Sequence, residues 1–197
     1  MTENKLPQTN KKIALVGLGN PGKDYEESRH NIGFMVLDKL LKKSTSVELS
    51  FWEENRKFNS EIAKVGDLIM VKPLGYMNES GRAVSKILKF YKVPPFGLYV
   101  IHDDLDLPLG KIKISIDRGS AGHKGVQSII NETGSQNFVR IRVGIGKSSK
   151  IPTERFLLAP FLPTERGKLK NAVKKTVEAV KMILEEGVER ASNKYNQ

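Results

Sequence analysis

The 197 residues include three histidines and no cysteine, so imidazole chemistry has three candidate bases and thiol chemistry has none. Each histidine stands at a junction between an expected strand or helix and a loop: His30 in "ESRHNIGF", His102 in "VIHDDLD" and His123 in "GSAGHKG". A lone histidine is usually structural, but this shared placement, with two of them beside glycine-rich turns, raises the standing of all three. His30 falls at the start of an expected helix, where the positive end of the dipole favours the neutral imidazole that a general base must be. Asp103, at the end of a later strand, can accept a hydrogen bond from the other ring nitrogen and so fix the tautomer. Its charge acts on His30 in the opposite sense to the dipole. No G-x-S-x-G elbow is present, so a hydrolase built on this chain would use water activated by His30 rather than a covalent intermediate.

The stretch "HDDLD" admits three readings: a solvated acidic loop, an acid that orients His30, or a hard-cation site from His102, Asp103, Asp104 and Asp106. In a strand, His102 and Asp104 share one face while Asp103 points to the other. Asn78, in "GYMNESG", is either a donor toward a site or a plain helix cap, Ser80 being the other possible cap. The hexapeptide "GLGNPG", Gly17 to Gly22, has the spacing of a dinucleotide-binding turn. That turn needs a helix beginning inside the motif and an acid about 20 residues on at a strand end. Here Pro21 and the charged "KDYEES" follow, and Asp38 falls inside a helical pattern, so the glycines instead serve a sharp turn that presents Asn20.

These residues require elements to hold them. "IALVG" is an apolar run suited to a strand covered on both faces. "NIGFMVLDKLLKK" repeats its apolar residues at helical spacing, and "FNSEIAKV" with "DLIMVKP" makes a hairpin across Gly66-Asp67. "MNESGRAVSKILKFYKV" puts Val84, Ile87, Leu88 and Tyr91 on one helical face. "KIKISI" and "FVRIRVGIG" alternate as half-exposed strands, so Lys111, Lys113, Arg140 and Arg142 form outward basic rows, with Arg118 and Lys124 nearby. A long last helix carries Leu169, Val173, Val177, Val180 and Leu184 on one stripe. Interleaved strands and helices without a repeat predict one α/β domain, a twisted mixed sheet with helices on both faces. Its expected limits are 12–191, between a polar leader over 1–11 and a polar tail over 192–197.

The net charge of +11, from 33 Lys and Arg against 22 acids, suits a polyanion partner. The lack of cysteine fits a reducing cytoplasm, and no apolar run approaches the ~20 residues of a membrane helix. A signal-peptide core is not expected in the polar leader.

Five stretches together resemble the bacterial-type peptidyl-tRNA hydrolases: "VGLGNPGKDYEESRHNIGF", "YMNESG", "HDDLDLPLGKIKI", "GSAGHKG" and "NFVRIRVGIG". They keep the family's order and spacing from Ile13 to about Gly146. The resemblance implies hydrolysis of the ester between a peptide and the 3′ ribose of tRNA, returning tRNA to translation, with no metal or other cofactor; the size of the chain suits a monomer. It implies His30 as the base, Asp103 as its orienting acid and Asn20 as a contact to the peptide backbone. Asn78 would meet the substrate and its developing oxyanion, Met77 would shape the pocket, and His123 would support the substrate site. Tyr25 and Tyr76 would line the cleft near the terminal nucleotide, and Lys113 and Arg142 would hold tRNA phosphates. Three positions depart from the family pattern: Lys124 replaces the usual Asn, Ser115 replaces a basic residue, and Tyr76 stands where Phe is common. Lys124 donates and adds charge but accepts no hydrogen bond, so it suits a phosphate or an oxyanion. The competing expectations are a non-catalytic RNA-binding protein and a metal-dependent phosphohydrolase using the "HDDLD" acids.

Overall fold

The computed structural model describes residues 12–44 and 51–197, so the 1–11 leader lies outside the described residues. The first half of the chain forms β1 (Ile13–Gly17), α1 (Ile32–Ser44), β2 (Glu53–Asn55), β3 (Ser60–Val65), β4 (Leu68–Pro73) and α2 (Ser80–Tyr91). The second half forms β5 (Leu98–Asp104), β6 (Ile112–Ile116), α3 (Lys124–Thr133), β7 (Val139–Gly144), α4 (Thr153–Leu158), α5 (Arg166–Glu186) and α6 (Val188–Tyr195). The strands make one mixed sheet in the order β2-β3-β4-β1-β5-β7-β6. Its four central strands are parallel, and antiparallel β2, β3 and β6 close the two edges.

Helices cover both faces, as the interleaved pattern predicts. One apolar core joins α1, α5 and α6 to the sheet through Leu15, Leu37, Ile101, Ile141 and Val180. The other joins α2 and α3 through Val16, Val71, Val84, Ile87 and Val126. β1 is buried along its whole length, which is why its sequence is a continuous apolar run rather than an alternation. No described helix is long and apolar enough to cross a membrane.

From β1 the chain crosses to β4 on one side, and from β4 it crosses back over β1 to β5 on the other. The carboxyl ends of β1 and β5 therefore diverge at a topological switch point, the place where open α/β sheets form a crevice. The glycine turn serves this geometry. A Cβ at Gly17 would stand 2.5 Å from the Gly33 carbonyl oxygen, and one at Gly33 would stand 2.5 Å from Leu18 N and O. These glycines let the start of α1 press against the end of β1, and α1 begins ten residues beyond Gly22, so only a 3-10 turn, Lys23–Tyr25, follows the glycine motif directly.

Several expectations fail for reasons of cover. Arg140 and Arg142 do not form an exposed row: Arg140 is buried, with Nη1 donating to Gly119 O at 2.6 Å, and Arg142 is half-buried. Alternation correctly put both on one face, but α3 and the loop before it cover that face. Neither Asn78 nor Ser80 caps α2; Asn78 lies in a 3-10 turn and the Ser80 hydroxyl donates back to Met77 O. Residues 192–197 are not a loose tail. Gly187 (φ 91°) breaks the last helix, α6 returns to the sheet, Tyr195 is buried, and the Asn196 side chain pairs with the Ile114 backbone in both directions.

The glycine packing can be tested by urea unfolding. Gly33→Ala should lose about 3 kcal/mol, the upper end of ordinary overpacking, because all its close neighbours are backbone. Gly167→Ala, with nothing within 4 Å in a helix, should gain about 0.5 kcal/mol. A Gly33→Ala cost below about 1 kcal/mol would mean that α1 slides freely on β1.

Candidate active site

The crevice at the switch point is a cavity of about 910 Å³. Asn20, from the loop after β1, and His30, from the 3-10 turn Arg29–Asn31 ahead of α1, form one wall. Tyr76, Met77 and Asn78 precede α2, Asp103 ends β5, and His123 and Lys124 open α3. Nine of the eleven site residues expected from sequence thus line one cavity. Lys113 and Arg142 do not; they face each other in register on β6 and β7, beside the cavity.

Asp103 organises the interior. It is 2% exposed, and its Oδ1 lies 2.7 Å from His30 Nδ1 and 2.9 Å from His123 Nε2. Burial alone would push this carboxyl up. The facing His123 and the hydrogen bonds from both rings outweigh it and hold Asp103 well below the usual carboxylate range. An ionised carboxylate only accepts, so both ring nitrogens must carry protons. That assigns His30 the Nδ1–H tautomer and leaves Nε2 as its basic nitrogen.

His123 is fixed at both ends. Its Nδ1 accepts from the Gly125 and Val126 amides at 3.2 and 3.3 Å, so this side chain caps α3 while Nε2–H serves Asp103. Its ring lies 5.1 Å from that of His30 and 4.7 Å from that of His102. His102 donates from Nδ1 to the Asp103 carbonyl at 2.7 Å, and its buried Nε2 has no partner among the described residues. Burial, reinforced by His123, pushes His102 well below its ordinary range, so it stays neutral.

The three readings of "HDDLD" can now be separated. Asp103 and Asp104 are buried, so the solvated-loop reading fails for both. Asp104 pairs with Arg142 at 2.5 Å and accepts from Asp106 N at 2.8 Å, while Asp106 pairs with Lys147. The set proposed for a cation does not converge. Among the described residues, the donors that do cluster are His30, Asp103 and His123, all within 4.8 Å. Their facing atoms sit at hydrogen-bond distance with the ring protons between them, so a cation would have to displace those protons.

Asn20 is held from three directions. Its amide donates to Asn31 Oδ1 at 2.8 Å, its carbonyl accepts from Asn31 Nδ2 at 2.9 Å, and its Oδ1 accepts from Met77 N at 2.9 Å. The Nδ2 donors are left to the cavity. Met77 is buried, so its side chain forms floor, whereas Tyr76 and Asn78 are exposed at the rim.

Sequence inspection missed the opposite wall: Glu154, Phe156, Leu157 and Leu158 of α4. α4 is placed by Arg29, 3% exposed, whose guanidinium reaches Ala159 O (3.2 Å), Pro160 O (2.5 Å) and Glu165 Oε2 (2.6 Å) and lies over Phe156. No local motif signals that long-range tie.

An α/β sheet with a switch-point cleft, a histidine tautomer fixed by a buried carboxylate and amide donors alongside is the layout of a hydrolytic enzyme. The comparisons define it further. The family model described as peptidyl-tRNA hydrolase matches residues 14–197, and the chain belongs to that family. A peptidyl-tRNA hydrolase of Thermodesulfovibrio yellowstonii is 45% identical, covering 94% of this chain and 99% of its own. One from Aquifex aeolicus is 41% identical over 93% and 95%. The crystal structure of the Acinetobacter baumannii peptidyl-tRNA hydrolase superposes with a TM-score of 0.85 at 29% identity, covering 96% of this chain and 97% of that one.

Because Asp103 titrates lower folded than unfolded, its ionised form stabilises the fold above the ordinary carboxylate value, near 4, and that contribution is lost as pH falls further. The stability gap between wild type and Asp103→Asn should therefore begin to narrow below about pH 4 and go on narrowing as pH falls. A gap still constant at about pH 3 would show that Asp103 is not held as an anion.

Proposed function

We propose that this chain hydrolyses the ester between a peptide, or an N-blocked aminoacyl group, and the 3′ ribose of tRNA, using water activated by His30. The observation that carries this reading is the His30 Nδ1–Asp103 Oδ1 contact, which leaves Nε2 as the base within the cavity. Nε2 takes a proton from water as the water oxygen attacks the ester carbonyl. The resulting oxyanion collapses, the ribose oxygen leaves with the proton held on His30, and the neutral ring is restored. Asp103 steadies the ring while it is positive, and His123 keeps Asp103 in place. Direct attack needs no acyl-enzyme.

Amide donors complete the chemistry. Asn78 at the rim meets the developing oxyanion. Asn20, immobilised by Asn31 and Met77, offers Nδ2 to a backbone carbonyl of the peptide. Met77 bounds the acyl side, Tyr25 and Tyr76 offer faces for the terminal base, and Lys113 and Arg142 meet tRNA phosphates outside the cavity, Arg142 while its Nε keeps the bond to Asp104. The enzyme acts as a monomer in the cytoplasm, returning tRNA to translation.

Release of tRNA from N-acetyl-aminoacyl-tRNA, beside the same tRNA with a free amino group and in the presence of EDTA, tests this reading. Wild type should cleave the blocked substrate selectively despite the chelator. His30→Ala should slow turnover about 10³-fold or more while keeping tRNA affinity, and a near-normal rate would remove His30 as the base. Asn78→Ala should lower kcat about 10²-fold with little change in KM. An effect confined to KM would make Asn78 a binding residue rather than an oxyanion donor.

A further inference from the structure

Lys124 is the first residue of α3, directly after His123, and it lines the cavity. Its Nζ lies 2.7 Å from Glu154 Oε1 on α4, thirty residues on. This ion pair spans the gap between the two walls. The two ends of α4 are held unequally. At its carboxyl end Phe156 is buried under Arg29, and the carbonyls of Ala159 and Pro160 accept from that guanidinium. At its amino end the tie to α3 is the Lys124–Glu154 pair, whose side chains are 65% and 78% exposed.

The cation–carboxylate pairs near the cavity differ in what exchange would cost, Lys147–Asp106 and Lys124–Glu154 being exposed and Arg142–Asp104 enclosed. Arg142 and Asp104 are 18% and 6% exposed, and Asp104 also accepts the Asp106 amide. An incoming anion that took Arg142 would leave a buried carboxylate unpaired, which is strongly unfavourable. An anion that took Lys124 would return Glu154 to water, where it already largely resides. Exposed pairs are weak, and a lysine ammonium accepts a phosphate as readily as a carboxylate. Hydrogen bonding from Lys124 holds the Glu154 carboxyl below its ordinary range, so the resident group is an anion.

Resting on the peptidyl-tRNA reading, we propose that Lys124 is a phosphodiester site for the 3′ end of the tRNA, occupied by Glu154 in the free enzyme. A backbone phosphate replaces the Glu154 carboxylate on the Lys124 ammonium. No covalent bond changes, and the exchange releases the amino end of α4 from the mouth of the cavity. Glu154 thereby sets affinity: it competes with substrate for one cation.

Binding of deacylated tRNA across a salt series, paired with steady-state kinetics on N-acetyl-aminoacyl-tRNA, tests this. Deacylated tRNA carries no peptide, so a phosphate is its sole anion source. Glu154→Gln, or Glu154→Ala if the amide retains the contact, should tighten tRNA binding about 3- to 10-fold, with KM following and kcat within about twofold. Lys124→Asn should weaken binding and lower the slope of log K against log salt by about 0.7, one single-strand phosphate contact. Glu185→Gln, an exposed acid on α5, should leave Kd within about 1.5-fold. An unchanged Kd in Glu154→Gln, an unchanged slope in Lys124→Asn, or an equal tightening in Glu185→Gln would each overturn the proposal. A wild type that binds tRNA without cleaving it would sink the hydrolase reading, and the binding arms would still decide the exchange.

Discussion

One oxygen atom, Asp103 Oδ1, carries two imidazole hydrogen bonds in a place almost closed to water. A buried carboxylate survives only with donors aimed at it, and here the donors come from the start of α1 and the start of α3. Each ring is then constrained in turn. His123 cannot rotate without uncapping α3, and His30 cannot turn its Nδ1 away without stranding the charge. The proton positions follow from packing and from one ionised acid.

The sheet topology makes that convergence possible. β1 and β5 are neighbours whose onward connections run to opposite sides, so their carboxyl ends open a gap that α1 and α3 enter from the two faces. The depth of the gap depends on Gly17 and Gly33, which let α1 approach until backbone meets backbone. The turn "GLGNPG" is a packing device, and Asn20 at its crest is locked by the Asn31 side chain from both sides.

Much of this was legible in the sequence because it is local. The apolar run of β1, the alternation of β6 and the helical stripes follow from chain stereochemistry. Histidines at junctions pointed to the cleft because junctions are where strand ends meet loops. What escaped depends on cover and on distance along the chain. Period-two alternation put Arg140 on a face without saying that the face was roofed. The wall from α4 was missed because its anchor is a guanidinium far away in sequence. The second partner of Asp103 was equally invisible, since no pattern within "GSAGHKG" says that its imidazole turns toward β5.

Arg29 also has a temporal consequence. Its hydrogen-bond acceptors lie 130 to 136 residues further along the chain, and its guanidinium is almost completely enclosed once they arrive. While the chain is still being synthesised, that charge has no enclosed partners, and burying it alone would be costly. The segment bearing His30 therefore gains the enclosure of Arg29 only from residues 159–165. A copy without those residues lacks the α4 wall, so the cleft is complete only when the far end of the chain is in place.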